Sequence, residues 1–408
     1  MEELIAQFSE WRNALRARGR AVLAKLPPWW SRALAVALIA GAVILPLFFI
    51  PASSFIDATI KALAFVVMAL GLNVVVGFAG LLDLGYVAFY AIGAYSLGWF
   101  GSYFFAAKAN VHVLSSPQVA SAAGIHLNFL LIAIAAAVIC ALLGTIIGLP
   151  TLRLRGDYIA IVTLAFGEII GTVAVNGTDV HLPGGIGTLT AGNLGISAPD
   201  VPYFPNAHFL FLSGTFSPLN LRPWYWLILA IVLVVLFVNL RVRDSRLGRS
   251  WVALREDEVA AVSMGIPMVR TKLLAYAMGA AFGGVSGAFL GAYFGTVNAS
   301  QFQFSFSIFV LAMIIVGGLG SIWGAVFGAL LLSYINYYFI PNVFNGLPHT
   351  FGLSFSLTDL SFGIFGFLLV LVMVLRPQGL LPERRRKLEL TEAIGPSDVD
   401  EGMLERVD

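Results

Sequence analysis

The stretch LLAYAMGAAFGGVSGAFLGAYF (273–294) opens a region that contains no Asp, Glu, Lys or Arg as far as Thr358. A helix needs roughly 20 apolar residues to cross about 30 Å of hydrocarbon, so this region alone is long enough for several membrane spans. The whole chain of 408 residues is 59% apolar and 11% charged, whereas soluble domains average about 25% charged residues. The composition excludes a soluble globular protein and predicts an all-α polytopic membrane protein.

Glycine, asparagine and proline clusters divide the charge-free region into spans. Gly317, Gly318 and Gly320 form one break, and residues 341–348 form another. In the rest of the chain, charged or polar loops separate the apolar runs. We therefore expect ten transmembrane helices, at about 33–50, 57–77, 84–106, 127–149, 158–176, 224–240, 273–295, 304–317, 321–339 and 359–375.

The distribution of basic residues tests this count. If the N-terminus is cytoplasmic, 21 of the 24 Lys and Arg residues fall in cytoplasmic segments, and only Lys61, Lys108 and Arg222 fall on the other side. Basic residues favour the cytoplasmic side of membrane proteins. Because one span more or fewer would destroy this bias, both termini are predicted to be cytoplasmic.

The same topology assigns a place to each segment outside the spans. An N-terminal interfacial helix is expected because apolar residues recur there at helical spacing opposite basic ones, and its long basic lead indicates an uncleaved anchor. The predicted segments are a cytoplasmic interfacial segment (1–32), a transmembrane domain (33–376) with an outer Gly-, Pro- and Asn-rich loop (177–223) and a cytoplasmic loop (241–272), and a charged cytoplasmic tail (377–408).

Several classes of site are absent from the sequence. No GxxxxGK[ST] phosphate loop occurs, so the chain cannot by itself hydrolyse a nucleotide in the usual P-loop manner. The five histidines match no compact zinc motif, and the net charge of +2 is too small to indicate a nucleic-acid partner. The single Cys140 excludes a disulfide within the chain. We predict no catalytic residue, no metal and no cofactor, and membrane lipid as a partner.

Glu168 stands alone in the predicted fifth span, IVTLAFGEIIGTV. It follows Asp157 by eleven residues, which places it about 16 Å deep, near the bilayer midplane. An unpaired carboxylate is costly there. Glu168 therefore either lines the translocation path or makes a buried hydrogen bond between helices. Asp57 and Lys61, near a span end, are expected to extend toward the interface, and a functional role is the alternative.

Two glycine-rich joins between spans share a VGxxG pattern, at residues 74–95 and 314–331. Small residues let transmembrane backbones approach closely, so packing explains most of this pattern.

The cytoplasmic loop contains GRSWVALREDEVAAVSMGIP (248–267), which predicts a short helix from about Glu256 to Met264. The acidic residues Glu256, Asp257 and Glu258 complement the helix dipole at its start. Ala260 and Ala261 are small, and Gly265 before Pro267 stops the helix. A short capped helix displayed between long spans is suited to docking on a motor subunit. The alternative is a connector without a partner.

Four strings together resemble the LivM-type permeases of bacterial branched-chain amino acid ABC importers. They are GLNVVVGFAGLLDLGYVAFYAIGAY (71–95), LRLRGDYIAIVTLAFGEII (152–170), GRSWVALREDEVAAVSMGIP (248–267) and RPQGLLP (376–382). The short helix of the loop also resembles the EAA coupling motif of ABC permeases. Ala260 and Ala261 occupy its alanine positions before Gly265, whereas Val259 follows Glu258 where the motif has its acidic residue.

The resemblance implies a transmembrane permease of an ATP-driven importer in the bacterial inner membrane. It implies a second, homologous permease subunit, two cytoplasmic ATPase subunits that hydrolyse the ATP, and a periplasmic substrate-binding protein. The outer loop would then be periplasmic, and the chain itself would not be an enzyme.

Two alternatives remain open at this stage. Permeases for urea and short amides are similar in sequence to the same family. A secondary transporter is an alternative from another class, although it should carry charged residues in several spans, and Glu168 is nearly alone.

Overall fold

A computed structural model of the chain describes residues 30–106, 110–114, 116–117, 121–151, 158–181, 187–197, 199–204, 216–344, 361–376 and 379–381. The predicted interfacial segment as far as residue 29, and the predicted tail apart from residues 379–381, lie outside these ranges. The chain divides into two units, one ending at Ile50 and the other beginning at Pro51.

The first unit contains the apolar helix α1 (Trp30–Ile44). A 3-10 turn, Leu45–Leu47, continues it, with Pro46 in its first turn. Because proline has no N–H and its ring obstructs the preceding turn, the α-helix ends before residue 50, where the first predicted span ends.

The second unit is mainly helical, and its helices follow the apolar runs. The described helices are α2 (Ser54–Leu72), α3 (Val87–Phe100), α4 (Phe129–Thr151), α5 (Tyr158–Asn176), α6 (Arg222–Arg243), α7 (Arg246–Glu256), α8 (Glu258–Ser263), α9 (Met268–Phe294), α10 (Phe304–Gly317), α11 (Ile322–Tyr334) and α12 (Ser361–Leu375). Two π-helical segments, Asn73–Phe78 and Ile335–Phe344, extend α2 and α11.

Seven helical segments in the described ranges are long and apolar enough to cross a membrane. Three shorter apolar helices, Val36–Leu47, Val87–Phe100 and Gly363–Val372, lie at the positions of the other predicted spans. The chain is therefore a polytopic helical membrane protein. The count of ten spans and the cytoplasmic placement of the termini stay predictions.

The expected span at 84–106 is shorter in the structure. Helix α3 begins at Val87 and ends at Phe100, and Gly101 then enters a small sheet. Glycine is a poor helix former, and the backbone of Gly101 pairs with His126 instead of continuing the helix.

Helix α2 lies at the centre of the second unit and packs against α6, α9, α10 and α11. Its apolar window is 89% buried, against 28% for α4 and for α5, which both leave a broad apolar face exposed. Glycines permit the closest approaches. A Cβ at Gly93 of α3 would collide with the carbonyl oxygen of Gly284 of α9, and one at Gly287 with that of Tyr90. Larger residues would force these helices apart.

Two small sheets lie outside the helices. Strand β1 (Gly101–Ser102) pairs antiparallel with β3 (Gly124–Leu127), and β2 (Asn110–Val113) pairs parallel with β3. Strand β4 (Ile196–Ser197) pairs antiparallel with β5 (Thr296–Val297), directly after α9. Residues 182–186, 198 and 205–215 of the predicted outer loop lie outside the described ranges. The placement of this loop outside the membrane therefore stays a prediction.

Candidate functional site

The predicted cytoplasmic loop folds into two short helices, α7 and α8. Ser245 caps α7, because its Oγ accepts a hydrogen bond from the N–H of Gly248 at 3.3 Å. Asp257 caps α8, and its Oδ1 accepts from the N–H groups of Val259 (2.8 Å) and Ala260 (3.0 Å). Glu256 thus belongs to the last turn of α7. The single helix expected from about Glu256 is interrupted because Asp257 takes an extended conformation with φ −151°.

The two alanines of α8, Ala260 and Ala261, differ in their burial. Ala261 is buried with 5% exposure, whereas Ala260 is exposed. Three apolar side chains near Ala260 are open to solvent, namely Val259 (76%), Val262 (47%) and Met264 (84%). We call Val259, Ala260, Val262 and Met264 the exposed face of α8. Large apolar groups left open to solvent in this way mark interaction surfaces.

Two contacts fix the loop to α9. The Nε1–H of Trp251, a fully buried side chain of α7, donates to the carbonyl oxygen of Thr271 at 2.7 Å. Glu258 forms an ion pair with Lys272, whose side chain is 4% exposed. The chain turns just after the end of α8 at Gly265, which has φ +86°. This left-handed conformation strains any residue with a side chain. Glycine is therefore the residue that fits position 265 without strain.

Arg255 joins α7 to the break between α2 and α3. Its Nη1 donates to the carbonyl oxygen of Gly77 at 2.6 Å, and a Cβ at Gly80 would collide with its side chain. Gly80 also has φ +69°. We call residues 73–86 the first glycine break. The side chain of Arg255 fits against it because glycine occupies position 80.

The two VGxxG joins of the sequence touch each other. Asn73 Oδ1 in the first glycine break accepts from the N–H of Gly320 at 3.0 Å. Residues 317–321 form the second glycine break, where Gly318 and Gly320 have φ +124° and +81°. The N–H groups of Leu380 and Leu381 donate to carbonyl oxygens at its start, so part of the RPQGLLP string packs on this break.

The far end of the first glycine break contacts α5. The N–H of Leu84 donates to Thr163 Oγ1 at 3.0 Å. A Cβ at Gly85 would collide with the carbonyl oxygen of Thr163 and approach Gly167. A continuous set of contacts thus runs from α7 through the break to the helix that carries Glu168.

Asp83 is a buried carboxyl group in this break, outside the spanning helices, and is only 2% exposed. Its Oδ1 accepts from the N–H of Gly85 at 2.9 Å, whereas Oδ2 is buried without a hydrogen-bond partner among the described residues. Burial raises the pKa of Asp83 to about 6, against the N–H of Gly85 and the hydroxyl of Thr163, which lower it.

Glu168 lies on the exposed side of α5, next to Gly167. Within the described residues its carboxylate makes no hydrogen bond and no ion pair. In this chain it therefore projects from the broad apolar face of α5, where a carboxylate facing lipid would be costly.

A family described as “Branched-chain amino acid transport system / permease component” matches residues 54–373. The chain belongs to this family. The match covers both glycine breaks, Asp83, Glu168 and the loop with α7 and α8, and leaves out α1. The family is a membrane permease component and not a class of catalytic enzymes.

The chain is also similar to several curated transport permeases. It is 35% identical over 350 residues to the high-affinity branched-chain amino acid transport permease LivM of Salmonella typhimurium, covering 82% of this chain and 72% of the relative. It is 36% identical over 370 residues to LivM of Escherichia coli, covering 87% and 76%. The similarity to the permease LivH of Escherichia coli is 26% over 217 residues, 52% of this chain and 64% of that one. No solved structure matches the chain. The LivM resemblance of the four strings is confirmed.

The sequence pattern does not reveal the roles of several residues at this site. Arg255 looks like an ordinary basic residue of a cytoplasmic loop, yet it bonds across 178 positions to Gly77. Asp83 is a lone carboxylate in an apolar string, LLDLG. That isolation is the feature of the sequence by which it could have been noticed. His208 and His349, two of the five histidines, lie outside the described residues. The described residues contain no group of three or more His, Cys, Asp or Glu side chains suited to a metal ion.

Proposed function

We propose that the chain is the LivM-like transmembrane permease subunit of an ATP-driven importer for branched-chain amino acids. The similarity to LivM permeases along more than four fifths of the chain is the observation that carries this proposal. The alternatives of a urea or short-amide permease and of a secondary transporter have no comparable support.

The proposed importer contains a second, homologous permease subunit. The similarity to both LivM and LivH, which are distinct permease proteins, supports this pairing. The exposed face of α5 is a physical reason for this pairing. A second subunit on that face would cover Glu168 and remove its carboxylate from lipid. The translocation path would then lie at this contact, with Glu168 lining it.

Glu168→Gln, which keeps the hydrogen-bonding capacity, should change the rate of amino acid uptake while the complex still assembles. Glu168→Leu should reduce uptake further, because no polar group then remains on the path. Normal uptake rates in both variants would favour a packing role for this position.

Two cytoplasmic ATPase subunits are proposed to hydrolyse the ATP, and one of them is proposed to dock on α8 of this chain. The chain lacks a phosphate loop, and the exposed face of α8 offers apolar contacts to a separate subunit. Glu256, Asp257, Glu258, Ala260, Ala261 and Gly265 are proposed to form the coupling region. A periplasmic binding protein is proposed to deliver the solute from the opposite side.

The proposed location is the bacterial inner membrane, with ten spans and cytoplasmic termini. In this arrangement residues 1–32, 241–272 and 377–408 are cytoplasmic, 33–376 form the permease domain, and 177–223 are periplasmic. The basic-residue bias of the sequence supports it.

Uptake measurements test the function directly. Cells that lack this gene, with and without a plasmid copy, are supplied with radiolabelled leucine, isoleucine and valine, and in parallel with urea and acetamide. We expect the plasmid to restore amino acid uptake, and ATP depletion to abolish it even when the proton gradient is maintained. Restored uptake of urea or acetamide alone would overturn the proposed solute. Uptake that follows the ion gradient without ATP would identify a secondary transporter.

A further inference from the structure

A cavity of about 380 Å³ lies beside the end of α9. Helix α9 starts at Met268, next to the loop with α7 and α8, and runs about 39 Å to Phe294. Phe294 lines the cavity. The cavity therefore lies at the end of the helical bundle opposite the loop proposed to dock the ATPases. Its volume falls in the range of small-molecule binding sites.

Aromatic rings form the apolar wall of the cavity. Besides Phe294, they come from Tyr90, Phe306 and Tyr337. Tyr90 and Phe306 stack with ring centroids 4.7 Å apart, and Tyr337 stacks on the buried ring of Phe65 at 5.6 Å. Because these rings are held by neighbours from other helices, they offer a preformed surface for a small aliphatic group.

Two opposite charges border this aromatic wall. The Nζ of Lys61 lies 5.4 Å from the ring centroid of Tyr337 and 5.9 Å from that of Phe294. The same Nζ contacts Asp57 Oδ2 at 2.8 Å, and Asp57 Oδ1 accepts from the hydroxyl of Tyr293 at 2.5 Å. The two charged side chains keep 19% and 34% of their surface exposed. A ligand with one positive and one negative group can meet both.

Polar side chains also line the cavity. Gln301 lines the cavity, and its Oε1 is buried without a hydrogen-bond partner among the described residues. Such an acceptor is expected to find a donor, and an ammonium group supplies one once the amide of Gln301 turns toward the cavity. Ser305 also lines the cavity, in the first turn of α10, where no side chain caps the helix. The positive end of that helix favours a carboxylate.

We infer that this cavity binds a free zwitterionic amino acid with a small aliphatic side chain. The carboxylate lies toward Lys61 and the start of α10, the ammonium group toward Gln301 and Asp57, and the side chain against the aromatic wall. The permease thus holds its own site for the solute at the end opposite α7 and α8. This inference rests on the proposed function, since it supplies the solute class, and it adds a site within the permease chain.

The test measures binding of radiolabelled leucine to the assembled permease and ATPase complex in lipid nanodiscs, without any binding protein. Lys61→Gln keeps a donor for Asp57 and removes the positive charge. Gln301→Leu removes the buried acceptor at similar size. We expect each to weaken leucine binding about tenfold or more, as the loss of a hydrogen bond to a charged group does. Ser305→Trp should fill the cavity and abolish binding.

Asn342→Ala is the matched control, because Asn342 is an exposed amide of the π-helical segment that follows α11 and does not line the cavity. Its leucine affinity should equal that of the unmodified complex. Leucinamide, which lacks the carboxylate, and 4-methylpentanoate, which lacks the ammonium group, should compete poorly. Each variant is compared only after its elution volume and basal ATP hydrolysis match those of the unmodified complex.

Transport by the same preparations, supplied with binding protein, separates the two proposals. Leucine transport without measurable binding to the complex, or with binding unchanged in Lys61→Gln and Gln301→Leu, would overturn the cavity site and leave the proposed function in place. If the complex transports urea and not leucine, the proposed function fails first. Binding lost in both variants, with transport of leucine by the unmodified complex, supports the site.

Discussion

Asp83 is a charged group placed where water does not reach it. Its carboxyl is fully enclosed in the first glycine break, and one of its oxygens has no partner among the described residues. Because burial raises its pKa from an ordinary 3.8 to about 6, ionising it costs the folded protein free energy on the order of 3 kcal/mol. The N–H of Gly85 still needs an acceptor at this position, which an asparagine supplies.

Asp83→Asn should therefore stabilise the protein in a pH-dependent manner. Below about pH 4 the carboxyl is protonated in both the folded and the unfolded chain, so the two proteins should differ little. Between about pH 4 and pH 6 the unfolded chain ionises first, and the unmodified protein loses stability that the variant keeps. Thermal unfolding in detergent at pH 4.5 and pH 7.5 measures the difference. Asp179→Asn, at an exposed aspartate, is the control, and an equal gap at both pH values would contradict the prediction.

Arg255 connects the loop to the first glycine break. Its hydrogen bond to Gly77 places a guanidinium against a carbonyl oxygen that the π-turn leaves available. If α8 docks an ATPase, motion of the loop reaches the first glycine break through this side chain. The same break contacts α5 through Leu84 and Gly85.

Arg255→Met should uncouple hydrolysis from transport. The variant keeps the length and apolar stem of the side chain and loses the donor, so assembly and ATP hydrolysis should persist while solute moved per ATP falls about tenfold. Arg249→Met is the matched control, because among the described residues Arg249 bonds within its own loop alone, to the carbonyl oxygen of Asp244. The ratio of transported leucine to hydrolysed ATP in proteoliposomes measures the effect. An unchanged ratio in Arg255→Met would remove this residue from the coupling.

At the scale of elements, α8 has a buried side and an exposed side. The EAA motif does not show which of its two alanines lies on which side. Ala261 packs against its own chain, and Ala260 points outward beside Val262 and Met264. The two adjacent alanines should therefore respond differently to the same substitution.

Ala260→Trp should weaken association of the ATPase subunits and leave the stability of the permease unchanged, because this position is exposed. Ala261→Trp should instead lower the free energy of unfolding by about 1–3 kcal/mol, the usual cost of overpacking. Co-purification of the ATPase measures the first effect, and thermal unfolding of the permease in detergent measures the second. The two variants are controls for each other. Full co-purification with Ala260→Trp would show that α8 is only a connector.

The apolar runs predict helices well where a run ends at strong turn residues. Helices α5 and α10 have the predicted bounds, 158–176 and 304–317. The sequence around α3 misleads, because VVVGFAGLLDLG is as apolar as a helix yet contains a π-turn and an extended break. That conformation depends on Arg255, Asn73 and Gly320, which lie far apart in the chain, and periodicity reports only on local neighbours.

For the whole molecule, class and family follow from composition and from long strings of sequence, whereas the site depends on distant contacts. Charge-free stretches leave few options other than a helical membrane bundle. The cavity beside Phe294 has walls from three separate parts of the chain, namely Tyr90, residues 294–306 and Tyr337, and nothing in their spacing joins them. A residue pattern can therefore indicate a permease while leaving its binding groups unidentified.

The topology of the molecule can be tested with two single cysteines in a Cys140→Ala background. Ser197 on β4 is exposed and Ser250 on α7 is partly exposed, and the proposed arrangement places them on opposite sides of the membrane. Cysteine at position 197 should react with an impermeant thiol reagent in intact cells, and cysteine at position 250 should react only after the membrane is permeabilised. Cys140 is the single cysteine of the sequence and is fully buried. The Cys140→Ala protein without an added cysteine is therefore the unlabelled control. The 21-to-3 bias of basic residues is the reason for this expectation. Labelling at position 250 but not at position 197 in intact cells would show that the true topology is the inverse of the proposed one. The proposed ATPase contact would then face away from the cytoplasm.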